Sequence, residues 1–151
     1  MNRHEIESVV TRAIDRVIAT ERELLDRNVS ERALTHHLAR FICDEIRAPF
    51  VVDVEYNRHL DDPKRMVLAP RRALDDELRA TTVFPDIIVH VRGTDAHNLL
   101  VLEVKKSHDD LAYDERKLRA FREQLQYQHA AHVILGSNAA ESIIHEVIWI
   151  E

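Results

Sequence analysis

A chain of 151 residues with one cysteine and two glycines is excluded from several classes at once. Cys43 alone permits no internal disulfide and no thiolate zinc cluster, and its place in an apolar helical pattern reads as a small core side chain. The scarcity of glycine rules out a Gly-rich phosphate loop and argues against a flexible or subdivided architecture. No repeat, low-complexity segment or linker interrupts the chain. No apolar run approaches the roughly 18 to 20 residues of a membrane span. The opening Met1-Asn2-Arg3-His4-Glu5-Ile6-Glu7 carries acidic groups where a secretory leader is apolar, so a cytoplasmic location is expected. No Ser-His-Asp set is legible, and His36-His37 and His108 lack zinc-site spacing. The formal charge of −6 argues against a general polyanion-coating protein, which would draw its affinity from Lys and Arg. It leaves room for an acidic centre with a local basic rim.

What is there fits one domain, 1–151. Ile6, Val9, Val10, Ala13, Ile14, Val17, Ile18, Leu24 and Leu25 recur at three-and-four spacing and predict a helix over 5–26. A second helix follows, with Asn28 or Ser30 as its cap and Leu34, Leu38, Phe41, Ile42 and Ile46 as its stripe, until Pro49 stops it. Residues 50–56 predict a half-exposed strand with Asp53 and Glu55 alternating against Val52 and Val54. The stretch 57–82 reads as a long loop with a short helix. Residues 83–91 and 99–105 predict an antiparallel hairpin, followed by an amphipathic helix through Leu111, Leu118, Phe121 and Leu125 and by strands over 131–135 and 146–150.

The chemistry lies in that hairpin. Side chains two apart on a strand share a face, so Glu103 and Lys105 project together while Leu102 and Val104 enter the core. A turn centred between Thr94 and Asp95 sets Asp86 opposite Glu103. Directly opposed Cβ atoms lie about 4.5 to 5.5 Å apart, close enough for two carboxylates to share a cation. Asp86, Glu103, a backbone carbonyl such as that of Val104, and waters make an all-oxygen shell that suits Mg²⁺ or Mn²⁺ rather than zinc. Lys105 beside two carboxylates keeps its proton, which favours positioning and charge stabilisation over general-base work.

Phe84-Pro85-Asp86, then an apolar strand, then Leu102-Glu103-Val104-Lys105 resembles the PD-(D/E)xK signature of restriction-endonuclease-like nucleases. Val52-Asp53-Val54-Glu55-Tyr56-Asn57-Arg58, Asn98-Leu99-Leu100-Val101 and Asp114-x-x-Lys117-Leu118 are similar to small bacterial members. The resemblance implies an α-β-β-β-α-β core over 30–137, with a mixed sheet flanked by helices and an N-terminal helical extension over 1–27. It also implies hydrolysis of nucleic-acid phosphodiesters, with DNA the expected substrate and Mg²⁺ or Mn²⁺ the cofactor. Asp86, Glu103 and Lys105 would be catalytic, Asp86, Glu103 and Val104 would hold the metal, and Glu31 is the candidate accessory acid from the first core helix. The recombination-type Gln-x-x-x-Tyr box is not matched, since Gln124 and Tyr127 stand one residue too close.

Competing readings accompany each residue. Glu103 and Lys105 could form a surface ion pair worth less than about 1 kcal/mol, Asp86 a strand-start aspartate, and Glu31 the second half of an Asn28 capping box. Arg58, Lys64, Arg65, Arg71 and Arg72 are either a solvated loop or phosphate contacts; Lys106 joins them, while Arg116, Lys117, Arg119 and Arg122 read as salt-bridged helix surface. The whole chain could be a nuclease-fold module for binding or assembly without turnover. An unrelated fold would leave Asp86 and Glu103 far apart. A homodimer fits the need to cut two strands, with the apolar stripe of the first helix as its surface.

Overall fold

Asn2 starts the first helix with a capping box: its side chain accepts the Glu5 N–H at 3.0 Å and the Glu5 carboxylate accepts the Asn2 N–H at 2.6 Å. The computed structural model describes residues 1–56, 65–68, 79–140 and 142–151. Helix α1, Arg3–Thr20, buries Ile6, Val9, Val10, Ala13, Ile14 and Val17. The stripe expected to run to 26 breaks at Glu21, and α2, Arg22–Asp26, resumes beyond it. At the break Glu21 pairs with Arg40 at 2.8 Å and His37 at 3.3 Å from helix α3, Glu31–Glu45. Ser30, not Asn28, caps α3 by accepting the Ala33 N–H at 3.3 Å, so the Asn28 capping box does not form. Cys43 is exposed rather than in the core.

The strands are β1 Val51–Val54, β2 Arg65–Leu68, β3 Arg79–Thr82, β4 Ile87–His90, β5 Leu100–Lys105, β6 His129–Ser137 and β7 Ile143–Trp149, with helix α4, Ala112–Leu125, between β5 and β6. Five of them form a mixed sheet in the order β1-β4-β5-β6-β7, antiparallel except for the β5·β6 pair. A parallel pair needs a crossover, and α4 supplies it. In the stretch read as loop and short helix, β2 and β3 instead pair as an antiparallel ribbon. Arg58, Lys64, Arg71 and Arg72 lie outside the described residues, and Arg65 is described only as the first backbone position of β2.

Both faces of the sheet are covered, which explains why β5 reads as an almost unbroken apolar run. Leu100, Leu102 and Val104 join α1 and α3 in one core; Val101 and Ile88 join Leu118, Phe121 and Leu125 of α4 in the other. The α1 stripe is consumed inside the first core, so the apolar surface invoked for a homodimer is not available. The alternation expected in β1 stops early: Val52 packs on the core, but Val54 is exposed and Glu55 adopts a left-handed backbone at φ 50°. Asp53, expected on the solvent side, ties β1 to β4 through His90 Nε2 at 2.8 Å and a two-pronged contact with Arg92. Burial opposes its charge, but those two partners win and hold its carboxyl below the usual range.

Gly136 is required by a close approach. A Cβ there would stand 2.2 Å from the Lys106 carbonyl oxygen, a backbone atom just beyond β5. Gly136→Ala is expected to cost at least about 2 kcal/mol, as overpacked interiors do, measured by urea denaturation; unchanged stability would mean the β5 and β6 ends part freely.

Candidate functional site

Pro85 cannot donate to a ladder, so β4 begins only at Ile87 and leaves Asp86 at its entrance. The expected hairpin register is the one observed: Ile87 pairs with Leu102 and Ile88 with Val101, which carries Asp86 to the level of Glu103. Asp86 then turns into the strand, and its Oδ2 accepts the Val104 N–H at 2.8 Å. Glu55 N–H donates to the Asp86 carbonyl at 3.2 Å, bringing the strained end of β1 to the same place.

Strand alternation puts Glu103 on the α4 face, where it is 3% exposed. Burial, reinforced by Asp86, pushes its carboxyl up to about 8. Burial also raises Asp86, against the Val104 N–H bond and the Lys117 charge, which pull it down. Lys105 shares the face, but its Nζ sits 2.8 Å from Asp114 Oδ2 on α4. Burial opposes the Lys105 charge; the bond and charge of Asp114 outweigh it and raise the ammonium. Glu31, the first residue of α3, accepts the Lys106 N–H through Oε2 at 3.1 Å and so docks the helix start on the end of β5. Lys106 itself reaches back to Asn28 Oδ1 at 3.1 Å.

The cleft that results measures about 290 Å³ and brings together Glu31, Asp86, Glu103, Val104 and Lys105, all five expected from the sequence. An unrelated arrangement with Asp86 and Glu103 far apart is therefore not what the chain adopts. Arg32, Thr35, Glu55, Asp114 and Lys117 complete the lining and were not expected there. Lys117 in particular is not salt-bridged surface: it is 9% exposed, donates to the Phe84 carbonyl at 2.9 Å and stands 2.9 Å from Glu103 Oε1. The signal that could have found Asp114 and Lys117 is their position. They fall with Leu118, Phe121 and Leu125 on the buried stripe of α4, where a charged side chain needs a partner.

Five carboxylates thus line the cleft with three cationic side chains. Among the described residues no group of three or more His, Cys, Asp or Glu side chains is gathered to hold a metal. The donor set nonetheless fits a hard dication in kind: two carboxylates lining one cleft, one of them buried and pushed up, with the Val104 backbone in the same lining. Among the described residues no helix is long and apolar enough to cross a membrane. A scan of protein-family models finds no match to this chain, and searches of curated proteins and of solved structures find none either.

Proposed function

We propose that this chain is a metal-dependent phosphodiesterase of the PD-(D/E)xK type that hydrolyses nucleic acid, with DNA the expected substrate. The observation that carries the reading is the convergence of Asp86 and Glu103 with Lys105 in one acid-rich cleft. The succession α3, β1, β4, β5, α4, β6, with the β2·β3 ribbon inserted, supports the restriction-endonuclease-like core that the motif implies. Asp86, Glu103 and the Val104 carbonyl would hold Mg²⁺ or Mn²⁺. Bound there, the cation would polarise the scissile phosphate and acidify a water.

The side chains divide the remaining work. Lys105, kept charged and aimed by Asp114, orients the attacking water and faces the charge that builds on phosphate. Glu31 is the accessory acid: one carboxylate oxygen anchors the Lys106 N–H while the side chain lines the cleft. Lys106 and the basic group of 58–72 would contact the phosphate backbone outside the centre.

A nuclease-fold module without turnover is the second reading. What favours it is that Lys105 and Lys117 already pair with Asp114 and Glu103, so the cleft is partly neutralised by its own side chains. Labelled linear, circular and single-stranded DNA, and RNA, incubated with Mg²⁺ or Mn²⁺ separate the two. Metal-dependent cutting by the wild type is expected. No cutting of any substrate would transfer the protein to the binding-module class.

A further inference from the structure

Lys117 is a buried charged group whose position the nuclease reading leaves unexplained. It comes from α4, not from the Glu-x-Lys strand, and it reaches across to the carboxylate least able to carry its charge. Its Nζ makes two contacts of 2.9 Å, one with the Phe84 carbonyl beside Pro85-Asp86 and one with Glu103 Oε1. Glu103 is 3% exposed and Lys117 9%, so water offers neither much compensation. A buried carboxylate must be paired or neutralised. Here the ammonium, 2.9 Å from Glu103 Oε1, offsets part of the cost of that burial.

We infer that Lys117 is a resident counter-cation: in the metal-free protein its ammonium occupies the place at Glu103 Oε1 that a divalent cation takes on binding. The inference rests on the metal-centre reading and adds a competition to it. A compact dication and an ammonium cannot share one carboxylate oxygen without close like-charge contact, so binding displaces Nζ from Glu103. The Phe84 carbonyl keeps the released ammonium at the rim of the cleft. There it faces incoming phosphate, and loading of the metal becomes coupled to presentation of a second cation.

The test measures Mn²⁺ binding alone, by calorimetry without nucleic acid, for the wild type, Lys117→Met, Lys117→Arg and Asp86→Ala. Lys117→Met is expected to bind at least about tenfold more tightly, because one positive charge within a few ångströms of the ion is gone. Lys117→Arg keeps the charge and should stay within about threefold of the wild type. Asp86→Ala should lose binding. Binding by Lys117→Met alone would be the strongest form of the expected result. Binding by the wild type with no gain in Lys117→Met overturns the counter-cation and leaves the metal centre standing; no binding by any variant removes the centre and the counter-cation together. Should Lys117→Met fail to fold, the wild type still decides. Its Lys117 side-chain ¹⁵N signal, identified by its loss in Lys117→Arg, is expected to move on Mg²⁺ addition, and a signal that stays in place overturns the inference.

Discussion

Asp86→Ala is expected to lower metal-dependent cleavage by at least about a thousandfold, and Lys105→Ala by about a hundredfold or more. Each tenfold is about 1.4 kcal/mol of transition-state stabilisation. Asp86 is asked to supply a share of the metal's polarising effect, worth several kcal/mol. Lys105 is asked for one preorganised charge, the scale of losing a single oxyanion-type donor. The two losses should differ in kind. On the proposed metal centre Asp86→Ala would remove a ligand, so excess Mn²⁺ should rescue part of the rate; Lys105→Ala would leave the ligands in place, so its rate should not respond to added metal. Asp114→Asn should fall between wild type and Lys105→Ala, because it frees Lys105 Nζ from its 2.8 Å partner without removing the ammonium. Circular dichroism on each variant checks the fold. An active Lys105→Ala enzyme would take this residue out of the chemistry and leave Lys117 as the lysine at the centre.

Without metal, the protein is expected to become less stable as pH rises from about 4.5 to about 8. The sign follows from Glu103. Its carboxyl is pushed up to about 8 by burial and by Asp86, from 4.5 in the open chain. Between those values the folded state binds more protons than the unfolded one, so stability falls with rising pH at up to about 1.4 kcal/mol per unit. The contribution is complete below the unfolded value and gone above the folded one. Glu103→Gln carries no such charge and should flatten this part of the profile while raising stability at pH 8. Saturating Mn²⁺ should flatten it as well, since a bound cation takes over the proton's role. Denaturation midpoints at pH 5, 6.5 and 8 provide the measurement. A profile that rises over this range in the metal-free wild type would mean that burial does not raise the Glu103 carboxyl.

How much of the site was legible depended on the range of the interactions that made it. Asp86, Glu103 and Lys105 were readable because a hairpin is local: once the turn is placed, period two assigns both the opposed pair and the shared face. Glu31 lines the cleft for a reason the sequence did not contain, since its partner is the Lys106 N–H across 75 positions rather than the cap of its own helix. Asp114 and Lys117 were missed as site residues although both stand on the apolar stripe of α4, because a stripe says which face is buried and not what lies opposite. Cys43 and the end of β1 went wrong for the converse reason. An apolar neighbourhood along the chain does not secure burial, and Val54 is exposed where the strand terminates in a left-handed residue.

Outside 57–82 the sequence by itself determined the element types, and with them the hairpin register and the acid-x-lysine face, because these follow from periodicities of two and 3.6 and from proline and turn chemistry. Tertiary structure alone decided that β5 and β6 run parallel beneath α4 and that the first helix spends its apolar stripe inside the core. It alone brought Lys117 to Glu103. Such contacts join residues far apart in the chain, and their partners are selected by how covered faces pack, which no local pattern encodes.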